Sequence, residues 1–512
     1  MPREEVLAEG YGRKDAAEAA SFRRPILVLG ATGYIGARLV HRLAAAGHAV
    51  RAAGRSIDRL RGRSFATLTG VTLFPADARD PRSLASACAG CRAAYYLVHS
   101  MERGSDRFAE TDREAATNMT SAAEKAGLSQ VVYLGGLGES GTTLSEHLRS
   151  RAEVGDILYA GRVPVTRLRA AMVVGSGSGS FEILRYLVDR LPVMVTPRWL
   201  DTEVQPIAIG NVLDALVGVL DHPEARDQTF DIGGSEVTTY RRLMEVYAEE
   251  ARLSRRLILP LPVLSPRLSS YWIDVVTPIP ASLAQPLADG LRNRVVCRDD
   301  RINTIVPMRL LDCREAIRAA IRSASLPFDG PGAPRAEADP WPGDPPWAGG
   351  TLYVDRHAVT VAASPEAAWA PVVRIGGADG WYYADWLWRL RGALDRLAGG
   401  PGMRPKRRSP DTLTPGDTFG FWRVEAVEPP RRLLLRAEME MPGCATLEIQ
   451  VHDVGRGATQ IALETRFAPR GAFGMLYWRV VDPFHHLVFP GLLRELAHRA
   501  GGRVLSGPSE LR

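Results

Sequence analysis

A doubly wound parallel α/β sheet followed by a separate α+β domain is the fold class this chain predicts, and three observations carry the prediction. Short apolar runs alternate with helix-length segments up to about residue 325. A proline-rich break lies at 326–350. Beyond it the order becomes strand, short helix, several strands, long helix. Alternation of the first kind marks βαβ units and a parallel sheet, whereas the second pattern belongs to an antiparallel sheet with segregated helices. At 512 residues the chain exceeds one ordinary domain, which agrees with a division into two.

The first 23 residues contain no apolar core of a secretory signal and read as a flexible N-terminus. A first domain is expected over 24–325. Its strand-like runs are "PILVLG", "AVRAAG", "VTLFPAD", "AAYYLVHS", "QVVYLGG" and "VPVTRLRAAMVVG", with "ARLVHRLAAAG" the helix after the first. Seven prolines between Pro327 and Pro346 forbid a regular helix or central strand, so 326–350 reads as a semi-rigid linker. The second domain is expected over 351–505, with 506–512 as a tail.

Composition excludes several classes. A hydrophobic fraction of 46% with 24% charged residues is that of a globular protein, and a net charge of +6 over this length gives no reason to expect nucleic acid as a partner. Of 64 basic residues only Lys14, Lys125 and Lys406 are lysine, so any chemistry that needs an amine has three candidates. Five cysteines, an odd count, suggest reduced thiols and a cytoplasmic setting. "CAGC" at 88–91 lacks a second pair for zinc and reads as the turn after a helix. No apolar stretch of about 18 residues occurs, so a membrane span is not expected. "LILPLPVLSP" (257–266) reads as a packed loop, with peripheral membrane contact as the alternative, and the basic "RPKRRSP" (404–410) reads as solvated.

"ILVLGATGYIGARLV" (26–40) carries the strongest signal. An apolar strand runs into Gly30-x-x-Gly33-x-x-Gly36, which opens a helix; Thr32, Tyr34 and Ile35 complete the turn. Glycines at these places permit a tight turn, close approach of a pyrophosphate and close helix–strand packing, with the anion on the helix N-terminus. The strand before and the helix after make this a Rossmann-type dinucleotide site. After the second strand an NAD site usually carries an acid for the ribose. This chain carries Arg55 instead, with Arg38 one turn into the first helix, so NADP(H) is favoured over NAD(H). The plainer reading of Arg55 is a solvated surface residue. Asp77, followed by Ala78, is placed to reach the adenine amine or to cap the helix starting near Asp80-Pro81.

The TGxxG turn, the "AD" after the third strand, the "YYLVHSM" strand end and the "AATN" helix resemble an atypical short-chain dehydrogenase/reductase. Within that superfamily the chain is similar to the NmrA-like and complex I 39-kDa-subunit-like group, including its bacterial YbjT-type proteins, from about Arg24 to about Gly502. The resemblance implies that Leu97, Val98 and His99 line the cofactor. It also implies a Ser/Thr after the fifth strand and a Tyr-x-x-x-Lys on the next helix. Here those last two places read His147 and Arg151. Four apart, they share a helix face. Arginine can hold ribose hydroxyls but not relay a proton, and His147 is either a general acid–base or an exposed helix residue without a role. Thr143-x-x-Glu146 reads as the capping box of this helix. Ser140, Thr142 and Ser145 are stand-ins for the Ser/Thr, and Lys125 sits at a helix C-terminus where a cation is at home. Three readings stay open: an oxidoreductase for an apolar carbonyl or quinone-like substrate, a non-catalytic NADP(H) sensor, or a lipid or polyketide handler with a vestigial reductase domain. A protein partner is left open.

Residues 351–505 resemble the domain of unknown function that follows this reductase type, which implies a START/polyketide-cyclase (SRPBCC) helix-grip fold with an apolar cavity. Trp381, Tyr382, Tyr383, Trp386 and Trp388 either line its mouth or form core. His485-His486 suggests a metal, but adjacent residues on a helix point to different faces, and no metal site is assigned.

Overall fold

The computed structural model describes residues 24–99, 108–138, 145–261, 276–324, 341–377, 380–404, 409 and 412–510. The N-terminal segment 1–23, Ser140, Thr142, Thr143, Lys406 and most of the proline-rich break therefore lie outside the described residues. The chain forms two compact units. One comprises the residues up to Ala324, apart from Asp189–Leu191, together with the stretch ending at Gly350; the other is built mainly from Thr351 onward. The linker expectation is thus corrected at its C-terminal end, because Trp341–Gly350 belongs to the first unit.

In the first unit seven parallel strands are β1 (Ile26–Leu29), β2 (Val50–Gly54), β3 (Val71–Pro75), β4 (Ala93–Tyr96), β5 (Val131–Gly136), β6 (Val165–Ala170) and β7 (Thr229–Ile232). Their order is β3-β2-β1-β4-β5-β6-β7. Helices α1 (Tyr34–Ala45), α2 (Pro81–Cys88), α3 (Phe108–Ala126), α4 (Glu146–Tyr159) and α5 (Ile209–Asp221) cover both faces. Strand alternation explains why β1 is apolar throughout. Ile26 and Val28 pack with Leu39, Val40 and Leu43 of α1 and Leu213 and Leu216 of α5, while Leu27 and Leu29 pack with Met119 of α3 and Val154 of α4. A strand covered on both faces needs no polar side, and each such buried side chain stabilises by about 1.5–3 kcal/mol. The winding reverses between β1 and β4, which opens a crevice at the carboxyl ends of those strands.

In the second unit β8 (Tyr353–Val361), β9 (Thr418–Phe419), β10 (Trp422–Glu428), β11 (Arg432–Ala437), β12 (Gly443–Gly455), β13 (Ala458–Pro469) and β14 (Val504–Glu510) form one antiparallel sheet. Its order is β9-β10-β11-β12-β13-β8-β14. Helix α6 (Asp385–Leu397) precedes β9, and the long α7 (Gly471–Arg499) packs Leu492, Leu493 and Leu496 into the same core as Val359, Leu447 and Ile461. The expected tail at 506–512 is corrected: up to Glu510 it is an edge strand beside β8. Trp381 is core, stacked on Trp388 with ring centroids 4.4 Å apart and flanked by Phe419 and Trp422, so it lines no cavity mouth. Trp386 is exposed.

Cys88 and Cys91 are free and buried, and burial, with Cys91 beside it, pushes the Cys88 thiol up to about 12. "CAGC" thus ends a helix and carries no poised thiolate. Among the described residues no helix is long and apolar enough to cross a membrane. Leu257–Leu261, expected as a packed loop, is a strand parallel to Val193–Pro197 with Leu257 and Leu259 exposed.

Candidate functional site: the crevice above the first parallel strands

Gly30 has φ +93°, and a Cβ there would lie 2.8 Å from the Leu97 carbonyl oxygen. A Cβ on Gly36 would lie 2.3 Å from the Gly30 carbonyl oxygen, and its nearest neighbours would all be backbone atoms. These two positions accept only glycine because the turn folds back on the end of β4 and on itself. Gly33 is the N-cap of α1 and provides no side-chain acceptor, so the first-turn amides of α1, which lack helical partners, are left for an anion.

This turn opens into a cavity of about 1080 Å³. Its walls include Gly30, Thr32, Gly33, Tyr34, Ile35, Gly36, Arg55, Asp77, Ala78, Leu97, Val98, His99, His147 and Arg151. The structure therefore gathers every sequence-predicted site residue except Arg38 around one space large enough for a dinucleotide. The turn that a Cβ would fill and the uncapped helix end fit a pyrophosphate.

Arg38 is corrected. Its side chain is fully buried and pairs with Asp344 at 2.9 Å, donates to the Tyr34 carbonyl at 3.1 Å, and lies 4.0 Å from the Tyr34 ring centroid. The other Asp344 oxygen takes Arg63 at 2.9 Å, and Arg63 also donates to the Thr32 carbonyl. One carboxylate from the proline-rich stretch thus holds two arginines beside the glycine turn. Arg55 and Arg59 are exposed at the cavity wall, beyond Gly54 at the end of β2.

Of the two readings of Asp77, capping of α2 belongs to Asp80, whose carboxylate accepts from Arg82 N–H at 2.9 Å. Asp77 accepts from the Arg79 N–H at 3.0 Å and its guanidinium at 3.2 Å. Burial draws its pKa upward, but these bonds and the charges of Arg79 and Arg55 outweigh that and hold it below the ordinary range.

Helix α4 starts with Ser145 as N-cap, its hydroxyl accepting from Leu148 N–H, and so not at the expected Thr143 box. Ser145 serves as that cap and does not line the cavity. The exposed-histidine reading of His147 is corrected as well: its residue exposure is 7%. His147 Nδ1 lies 3.3 Å from His99 Nε2, and the rings stack with centroids 4.9 Å apart. His99 Nδ1 in turn lies 3.5 Å from Asp112 Oδ2, which also accepts from Ser150 Oγ at 3.3 Å. Burial first, then Arg151 and His99, lower the His147 pKa well below its ordinary 6.5. Burial and Arg151 lower His99 too, against the opposing pull of Asp112. Arg151 donates to the Leu134 carbonyl at 3.4 Å and so lies under the end of β5.

Asp112, Arg59 and Arg63 carried no sequence signal: each is one more charged residue on a helix or turn, and only the fold brings them to the crevice. The grouping of Asp355, His357 and His486 in the second unit was also not anticipated from the sequence. The histidine pair was read on its helix alone, while its partners stand on β8.

The sheet order, glycine turn and crevice define a nicotinamide-dinucleotide-binding unit of the reductase-like class. Residues 30–170 match the family model described as NAD(P)H-binding, so the first unit carries an NAD(P)H-binding domain; residues 347–492 match a protein of unknown function, DUF2867. Over 242 residues the chain is 26% identical to NADH dehydrogenase (ubiquinone) 1 alpha subcomplex subunit 9, mitochondrial, of Arabidopsis thaliana, covering 46% of this chain and 60% of that protein. A 93-residue stretch, 17% of this chain, is 29% identical to Protein BRI1-5 ENHANCED 1 of the same plant and spans 26% of it. The chain therefore spans less than two thirds of either relative. Solved structures similar to it include a nucleoside-diphosphate-sugar epimerase from Staphylococcus aureus (TM-score 0.48, 14% identity, 57% of this chain, 99% of that one). An NADPH-dependent quinone oxidoreductase from Escherichia coli, complexed with NADPH, is similar at TM-score 0.47 and 18% identity, over 57% of this chain and 98% of that one.

Proposed function

We propose that the first unit is an NADP(H)-dependent oxidoreductase acting on a small apolar carbonyl or quinone-like acceptor. The observation that carries the proposal is that the glycine turn and the Asp112–His99–His147 chain meet at one cavity. When bound, the nicotinamide supplies the hydride. The remaining work falls to the chain's own residues. Leu148, Met172, Leu283 and Leu287 also line the cavity, which favours an acceptor with an apolar body over a sugar or a charged acid. Arg55 and Arg59, where an NAD site would present a carboxylate, suit a 2′-phosphate.

Titration of NADPH and NADH against the wild type and Arg55→Glu tests the cofactor preference. Expected is an approximately 10–100-fold loss of NADPH affinity, about 1.4–2.7 kcal/mol, with NADH little changed. Equal binding of both cofactors by wild type, unaffected by the substitution, would remove the phosphate assignment.

The Asp112 carboxylate favours the His99 tautomer protonated on Nδ1, which leaves Nε2 to accept from His147 Nδ1–H. The remaining proton site of His147 is then Nε2. Because its pKa is depressed, its acid form is a minor species at neutral pH and becomes scarcer as pH rises. Reduction that draws its proton from His147 is expected to slow about tenfold per pH unit above that lowered pKa, and His147→Gln is expected to flatten the profile. An identical slope in the variant would assign the proton to water. Tight NADPH binding without oxidation across a carbonyl, enone and quinone panel would instead support the sensor reading, which the absence of a Tyr–Lys pair favours. For the second unit, the antiparallel sheet and the long helix α7 support a helix-grip reading.

A further inference from the structure

On β8, Asp355 and His357 are two apart and so project from the same face of the sheet. Both are buried, with side-chain exposures of 5% and 4%. Helix α7 brings His485 and His486 to them: His485 Nδ1 lies 3.9 Å from Asp355 Oδ2, and the His486 and His357 rings meet edge to face with centroids 6.0 Å apart. One ligand atom each from Asp355, His357 and His486 falls within 4.8 Å of the others.

Hydrogen bonding does not account for this grouping. Asp355 Oδ1 and Oδ2, His357 Nε2 and His485 Nδ1 are all buried and none has a hydrogen-bond partner. Asp355 Oδ1 and His357 Nε2 touch at 2.8 Å but are misaligned for a bond. Leaving a buried polar group unmatched is costly, and the Asp355 carboxylate and His357 Nε2, side by side, call for a common partner. A cation answers that need, because carboxylate oxygens and imidazole lone pairs converging on one point are ligands.

We propose that Asp355, His357 and His486 bind a divalent transition-metal ion of the Zn²⁺ class. Two imidazole nitrogens and one carboxylate oxygen suit such an ion better than Ca²⁺ or Mg²⁺, which prefer all-oxygen cages. Three protein ligands leave a fourth position of a tetrahedral site. His486 is half exposed, which puts solvent on one side of the ion and makes that position open to water or a small anionic or carbonyl ligand. His485 sits outside the ligand set, its Nδ1 3.9 Å from the second Asp355 oxygen. Pro483 lies within α7 two residues before His485, where it weakens the helical hydrogen bonding near the pair.

The test uses the full-length protein without a histidine tag, stripped with chelator and titrated with Co²⁺ as a visible-absorbing substitute for Zn²⁺. Expected are d–d bands that saturate at one Co²⁺ per chain and vanish on addition of one equivalent of Zn²⁺, with no competition from Mg²⁺. His486→Gln, at a half-exposed position the fold tolerates, is expected to weaken binding by about 100-fold. Asp355→Asn is expected to do the same, and Zn²⁺ is expected to raise the melting temperature of the wild type but not of either variant. Absence of saturable binding in the wild type, or affinity unchanged in His486→Gln, would overturn the site and leave Asp355 and His357 as a buried ion pair.

Discussion

Gly36→Val is expected to abolish dinucleotide binding, with NADPH affinity falling at least 100-fold, about 2.7 kcal/mol. The added Cβ would stand 2.3 Å from the Gly30 carbonyl oxygen and 3.1 Å from the Ala31 Cα. Those neighbours are backbone and cannot rotate away. Either α1 shifts off the end of β1, which carries its first-turn amides away from the pyrophosphate, or the turn opens and the floor of the cavity is lost. Both routes also strain the packing of Leu39 and Val40, and overpacking of this kind costs about 1–3 kcal/mol of stability. Fluorescence titration with NADPH and a thermal melt read the two effects separately. Gly47→Asn is the control. That glycine also has positive φ, but a Cβ there meets nothing within 4 Å, and asparagine tolerates the left-handed region. Binding retained by Gly36→Val would mean that the pyrophosphate does not lie on this turn.

Asp344→Ala is expected to destabilise the first unit by about 3–5 kcal/mol, the usual consequence of removing one partner from a buried ion pair. Here the loss leaves two guanidiniums without this counter-charge: Arg38 is fully buried and Arg63 nearly so. Urea unfolding would show the change as a lower midpoint. The apolar triple variant Asp344→Leu, Arg38→Met, Arg63→Met is expected to recover most of the loss, because burying three matched apolar chains avoids the desolvation cost altogether. A single variant as stable as the wild type would show that water, and not Asp344, satisfies those arginines.

The sheet and the glycine turn were legible because both are written locally. A strand covered on both faces must be apolar, as "ILVL" is, and a turn that folds back on its own carbonyl must carry glycine. His147 and Arg151 were legible as a pair by their four-residue spacing, but whether the histidine faced water or the crevice was not. Its burial is decided by His99 and Asp112, which come from different elements. Arg38 misled for the same reason. Its place one turn into α1 is compatible with reaching a phosphate, but it turns inward to Asp344, 306 residues away, and to the Tyr34 and Ser176 carbonyls. Over the described part of the proline-rich break, Trp341–Gly350, the chain forms turns with no helix or strand. The prolines did not exclude docking, since irregular backbone can still deliver one carboxylate and the Trp347 side of a cavity.

The separation of Arg38 from Asp344 also sets a clock on biosynthesis. A ribosome adding about 5–20 residues per second needs roughly 15–60 s to pass from one to the other. In the later part of that interval, once Thr229–Ile232 has been made, every strand of the parallel sheet has been synthesised but the acid that neutralises two inward-turned cations has not. Maturation of the nucleotide-binding unit is therefore tied to synthesis of a segment beyond its last helix, and the glycine turn acquires its final support only when residues 341–350 have emerged and folded back.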